Sequence, residues 1–226
     1  MRILAVDTTT ETGSVALLEN TRLLSEVNLD SPLTHSGRLL QSVHFLLQAN
    51  AVTIQQVDGF AVAAGPGSFT GIRIGLSTVK SFSFASEKPV APVSTLKGLA
   101  WKLRDSGSRL LCPVMDAKKG EIYASLFEVK GGRLTELISQ GAYSPDHFLS
   151  RLPAHRIILF IGSGVQPYKS RILDYLKDKA RLASRSTFIA HEVGLLGYEI
   201  LNKQEGVLSS ALEPFYFRKS QAEEKH

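Results

Sequence analysis

Three groups of residues in this sequence have the types and spacing that chemistry requires. The first is Gly65-Pro66-Gly67-Ser68-Phe69-Thr70-Gly71-Ile72-Arg73-Ile74-Gly75, which follows an apolar run at 59–64 and opens a helical pattern reaching about Phe84. Gly65 and Gly67 permit positive φ on either side of Pro66, and Ser68 or Thr70 can cap the first helical turn. A turn so built presents backbone N–H groups beside the positive end of a helix dipole, which suits a phosphate or another anion. It also suits a tight connection that lets the helix close on its own sheet. A third use lies in the helix, where Gly71 and Gly75 are one turn apart with Ile72, Leu76 and Val79 nearby. Small residues at this spacing admit a second backbone, so these five residues form a candidate partner interface.

The second group is a pair of carboxylates, Asp7 and Asp116, each closing an apolar run. Facing a common cleft, they could order Mg²⁺ through water beside nucleotide phosphates. Asp7-Thr8-Thr9-Thr10-Glu11-Thr12-Gly13 adds hydroxyls but lacks an Asp-x-Gly, and an aspartate at a strand end also serves as the acceptor of a turn. The third group, the histidines, gives no metal set. His35 and His44 point to opposite faces of one helix, and His147, His155, His191 and His226 have no partner at ligand spacing. Ser68 has a glycine on one side only, so it is no nucleophile elbow. Cys112, the single cysteine, excludes an intrachain disulfide and reads as a buried strand thiol. No catalytic set of the chain's own emerges.

The elements that must position these residues run in two similar series. Strands are expected at 2–6, 13–18 and 23–29, with a hairpin at 19–22, then a break at Ser31-Pro32. A helix over 36–49 places Leu39, Leu40, Val43, Leu46 and Leu47 on one side. The 60–64 strand, the glycine turn, the long helix, a strand at 90–93 and a helix at 94–103 complete the first half. A linker at 104–108 gives expected domains at 1–104 and 105–226. The second half repeats the order: strands at 110–115, 121–129 and 134–139, a break at Ser144-Pro145, a helix to Leu152, a strand at 156–161, a Gly162-Ser163-Gly164 turn, and a helix at 167–177. A late amphipathic helix at 190–201 can cross back onto the first half, and Glu213-Pro214-Phe215-Tyr216-Phe217-Arg218 is an apolar tail that needs somewhere to dock.

Three antiparallel strands followed by alternating helices and strands describe a mixed α/β sheet with helices on its faces, the ribonuclease-H-like unit. Two such units in tandem resemble the actin, sugar kinase and Hsp70 superfamily, in which nucleotide sits between the halves. The 226 residues suffice for two small domains, and 43% hydrophobic with 21% charged residues is ordinary globular composition. No run of about 18 apolar residues is present, and the N-terminus meets Asp7 too soon for a secretory signal, so no membrane contact and a cytoplasmic location are expected. A net charge of +5 without a strong basic block permits contact with RNA but does not argue for it.

In order along the chain, Ile3-Leu4-Ala5-Val6-Asp7-Thr8-Thr9 with Ser14-Val15-Ala16, His35-Ser36, the glycine stretch, Met115-Asp116-Ala117-Lys118 with Glu121-Ile122-Tyr123-Ala124, and Pro214-Phe215-Tyr216-Phe217-Arg218 resemble the TsaB (YeaZ) family over nearly the whole length. Members of that family are bacterial partners of TsaD in making N6-threonylcarbamoyladenosine (t6A) at position 37 of tRNAs. The resemblance implies a non-catalytic subunit that pairs with TsaD through its first domain, helix against helix. It implies TsaE docking at the TsaB–TsaD junction, threonylcarbamoyl-adenylate supplied by TsaC or a relative, and a homodimer when TsaD is absent. It also implies tRNA reached through the complex and no cofactor of the chain's own, ATP and a metal being held by partner subunits. In TsaD a segment after the corresponding helix supplies two histidines to a metal. Here Val93-Ser94-Thr95-Leu96-Lys97-Gly98-Leu99-Ala100 contains none, and neither Thr95 nor Leu99 replaces an imidazole. The alternative is an ATP-dependent kinase or ATPase acting in its own cleft with Asp7 and Asp116.

Overall fold

The computed structural model describes residues 1–30 and 35–217, and the side chains of all of these except 35 and 36. The expected Ser31-Pro32 break and the tail from 218 lie outside the described residues. Two compact units are present: Met1–Gly98 with Phe188–Tyr216, and a second containing Leu99–Thr187.

The first unit is a five-stranded sheet. Its strands are β1 (Arg2–Asp7), β2 (Gly13–Glu19), β3 (Arg22–Leu29), β4 (Gly59–Gly65) and β5 (Val90–Ser94), in the order β3-β2-β1-β4-β5. β1 pairs antiparallel with β2 and parallel with β4, so a hairpin ribbon is joined to a parallel half. Helices cover both faces, which is why β1 reads as an unbroken apolar run: Ile3, Leu4, Ala5 and Val6 are all fully buried. Leu4 and Val6 pack with Leu39, Val43 and Leu46 of α1 (His35–Ala49) and with Ile72, Leu76 and Val79 of α2 (Phe69–Ser86). The late helix, numbered α6 (Ala190–Asn202) after the helices of the second unit, lies on the sheet's other face. The Ser14 hydroxyl accepts from the Ala190 N–H at 3.0 Å, and Gly194 and Gly197 leave room for Leu18 and Ala61.

The second unit repeats this plan with β6 (Leu110–Lys118), β7 (Glu121–Lys130), β8 (Arg133–Tyr143), β9 (Ile158–Ile161) and β10 (Ala180–Leu182). Read from its other edge as β8-β7-β6-β9-β10, its order is the first sheet's strand for strand, with two antiparallel pairs and then two parallel ones. Leu110, Cys112 and Val114 of β6 form a core with Phe148 and Leu149 of α4 (Pro145–Ser150) and Ile172 and Leu176 of α5 (Lys169–Leu176). Burial pushes the Cys112 thiol well above its usual range, so it stays protonated and unreactive. Sequence reasoning ends the first strand of this half near Asp116; β6 instead continues to Lys118 through an irregularity in its pairing with β7. The remaining helix, α3 (Thr95–Lys102), follows β5.

Close packing of α6 makes a direct prediction. Gly197→Val places a branched side chain against Ala61 and should lower stability by about 1–3 kcal/mol, read as an earlier midpoint in urea unfolding. An unchanged midpoint would contradict this packing.

Candidate functional site

Of the residues singled out from sequence, those at the end of β1 and the start of α2 come together within the first unit. Asp7 is 1% exposed, and its Oδ1 accepts from both the Thr9 N–H (2.9 Å) and the Thr9 hydroxyl (2.7 Å). The chain then turns so that the Thr8 hydroxyl donates to the Gly71 carbonyl (2.7 Å) and the Thr9 carbonyl accepts from the Ser68 N–H (2.7 Å). Ser68 caps α2, its hydroxyl accepting from the Gly71 N–H at 3.2 Å. Thr70, on the first turn, is exposed.

The glycines are small because this loop lies against them. A Cβ on Gly71 would strike the Thr8 carbonyl, one on Gly67 the Thr9 carbonyl, and one on Gly75 would come within 2.5 Å of the Thr8 hydroxyl oxygen. The inner side of the turn is therefore occupied by two backbone carbonyls, acceptors that do not fit a phosphate. Of the two uses open to the turn on sequence grounds, the tight connection is the one the geometry supports. Gly65 (φ 122) meets the C-terminal tail instead, where the Phe215 N–H donates to the Ala64 carbonyl at 2.7 Å.

The same contacts correct the reading of Gly71, Ile72, Gly75, Leu76 and Val79 as an open face. All five are buried on the side of α2 toward its own sheet. Spacing announced a close approach, and the approaching backbone is that of Thr8 and Thr9. Leu40 is likewise corrected: it is 53% exposed rather than part of the α1 core stripe.

Burial pushes the Asp7 carboxyl up to about 6, with nearby Glu192, also buried, adding to the rise and the Thr9 hydrogen bonds holding it partly back. Asp116 belongs to the second unit and is more open. Its carboxylate accepts from the Lys118 N–H (2.9 Å) and pairs with the Lys118 ammonium (3.2 Å). Its strand end is overlaid by a second glycine turn, the Gly164 N–H donating to the Val114 carbonyl at 3.0 Å. Thr95 and Leu99 are buried, and the Thr95 hydroxyl has no hydrogen-bond partner among the described residues. Also among the described residues, no three His, Cys, Asp or Glu side chains converge as a metal set.

Two features escaped sequence reasoning. The outward faces of α1 and α2 carry Leu40, Phe45 (63% exposed) and Phe84 (80% exposed), and the signal was present, since these lie off the Leu39-Val43-Leu46 and Ile72-Leu76-Val79 stripes. The tail also builds a small stack: Tyr216 lies on Phe69 with ring centroids 5.1 Å apart, and the Arg73 guanidinium sits 3.8 Å from the Phe69 centroid.

Two mixed sheets of this order, each with a glycine turn over the end of its central strand, give this chain the fold of the actin, sugar kinase and Hsp70 class. Component A of (R)-2-hydroxyglutaryl-CoA dehydratase from Acidaminococcus fermentans shares the fold at 8% identity, with a TM-score of 0.53 over 88% of this chain and 98% of its own. A family model described as TsaD, tRNA N6-adenosine threonylcarbamoyltransferase, matches residues 31–185. The tRNA threonylcarbamoyladenosine biosynthesis protein TsaB of Bacillus subtilis is 32% identical over 100% of this chain and 97% of its own length. The solved structure of YeaZ from Pseudomonas aeruginosa is 30% identical with a TM-score of 0.82, covering 95% of this chain and 99% of that one. The chain belongs to the TsaD-type family and, within it, to the TsaB (YeaZ) branch.

The raised Asp7 carboxyl has a testable sign. The folded state holds this proton above the range where the unfolded chain releases it, so stability falls as pH rises from about 4 to about 6 and is level above that. Asp7→Asn should flatten this interval, the difference from the parent reaching about 2–3 kcal/mol by pH 7 in urea titrations at stepped pH. Parallel curves for the two proteins would contradict the burial argument.

Proposed function

We propose that the chain is an accessory subunit of t6A biosynthesis which pairs with TsaD, supporting threonylcarbamoyl transfer to A37 of tRNA without a complete active site of its own. The observation that carries this reading is the outward face of two adjacent helices. α1 packs beside α2, and together they turn Leu40, Phe45 and Phe84 to solvent. On α2, Arg73, Ser77, Ser81 and Phe84 follow one another at helical spacing, so small hydroxyl residues lie between a cation and an exposed ring. Large apolar side chains exposed on neighbouring helices mark a surface meant for another protein, and aromatic anchors carry most of the binding energy at such surfaces.

The family names add the partner. Relatives are named as TsaB proteins of tRNA threonylcarbamoyladenosine biosynthesis, and the family model that this chain matches bears TsaD's description, so a TsaD subunit would bring helices akin to α1 and α2. A second copy of this chain would use the same faces when TsaD is absent, and TsaE would join at the junction of the pair, bringing ATP chemistry from outside this chain. The Asp7–Thr8–Thr9 loop supports the same division of labour, since its Thr8 hydroxyl and Thr9 carbonyl are spent on the start of α2 and its Thr9 hydroxyl on Asp7.

The test is co-elution with TsaD on a sizing column. Phe45→Asp with Phe84→Asp should abolish the heterodimer while the isolated chain's melting temperature stays within a few degrees, both side chains being exposed. A heterodimer that survives both changes would overturn the assignment of the face.

A further inference from the structure

The net charge of +5 conceals a division between the two units. Met1–Gly98 with Phe188–Tyr216 carries 8 Lys and Arg against 11 Asp and Glu, whereas Leu99–Thr187 carries 15 against 8. Most of the excess falls in residues 151–185, with 8 Lys and Arg against 2 Asp. These residues build one edge of the second sheet: β9, the edge strand β10 beside it, and α5, which packs on β10.

Several of the cations on this edge are uncommitted. Lys169, Lys177, Arg181 and Arg185 are exposed and have no ion-pair partner among the described residues. The Arg181 guanidinium donates to the carbonyls of Asp178 (2.7 Å) and Ala180 (3.1 Å), which holds it along the strand edge. Tyr175, 42% exposed, stands among them on α5. Of the acids on or beside this edge, Asp178 is paired with Lys179 at 2.7 Å and Asp146 with Arg171 at 3.7 Å, which leaves Asp174 on α5 as the one exposed carboxylate among the described residues there without an ion pair.

From this charge division we infer that the β9–α5–β10 edge of the second unit is a nucleic-acid surface that takes the sugar–phosphate backbone of tRNA. The inference rests on the t6A reading above for its choice of RNA. A string of separated cations interleaved with an exposed ring fits successive phosphates and a stacked base or ribose. Contacts of this kind position the RNA without reading its sequence, which is what a subunit lacking its own chemistry can contribute. Burying a carboxylate-bearing protein there would instead require fixed pairs at each cation. Lys169 opens α5, Lys177 follows its end, Arg181 lies on β10 and Arg185 just past it, so the cations are spread along the edge as the charges of a polyanion are.

The triple variant Lys169→Glu, Lys177→Glu, Arg185→Glu tests this without touching the α1–α2 face or the Arg181 backbone bonds. Binding of an unmodified tRNA transcript to the complex of this chain with TsaD is measured by anisotropy across salt from about 50 to about 200 mM. Expected are an affinity at least about tenfold weaker near 100 mM salt and a log K against log salt slope shallower by about 2. The charge-preserving triple Lys169→Arg, Lys177→Arg, Arg185→Lys should bind like the parent. Unchanged affinity and slope with the complex intact would overturn the surface, and so would a charge-reversed triple that loses TsaD rather than tRNA. The same titration on the isolated chain separates the two readings. Salt-dependent tRNA binding by a chain that never joins TsaD would sink the pairing and spare the surface.

Discussion

The structure of the first unit hangs on the seating of Thr8 and Thr9 against the start of α2. β1 delivers Asp7 into the core, the chain turns, and two carbonyls and a hydroxyl press into the spaces left by Gly67, Gly71 and Gly75. No other residue type at those positions allows the loop so close. Once α2 is held at this distance, its Ile72-Leu76-Val79 stripe meets Leu4 and Val6, and its rotation about its own axis is fixed. Phe84 and the Ser77–Ser81 pair then have no place to go except outward. The exposure of the aromatic face proposed above for a partner is thus a consequence of a contact made inside the chain.

That contact also explains why a fold shared with nucleotide-binding proteins yields a glycine turn unsuited to phosphate on its inner side. The N-terminal amides of α2 are partly satisfied by Ser68, and the approach to the turn is closed by acceptors rather than left to a ligand. The cost is visible in Asp7, whose carboxylate is buried so deeply that its proton is held to about 6. Such a group is tolerated because Thr9 supplies two donors, and it is the acceptor that shapes the turn.

Much of this was legible in the sequence, and the places where it was not are instructive. Alternating and continuous apolar runs located nearly every strand, and the repeated order of strands, helix and glycine turn gave the paired sheets. β10 escaped because Ala180-Arg181-Leu182 is too short to show a period. The glycine stripe of α2 announced a close neighbour, but spacing alone cannot say whether that neighbour is the chain's own loop or another molecule. Leu40 reads as core in the sequence because apolar residues crowd α1 on more than one side, and only packing against the sheet decides which of them turn outward. The charge division was hidden because the sum over the whole chain cancels an acidic first unit against a basic second one.

As the accessory subunit proposed above, this chain acts through the surfaces it presents. Hydroxyl-radical footprinting with mass spectrometry, on the chain alone and with TsaD, reads those surfaces at single side chains. Oxidation of Phe45 and Phe84 should fall sharply when TsaD is added, while the already buried Phe60 is unmodified in both states. A stable complex in which both exposed rings remain as reactive as before would contradict the account.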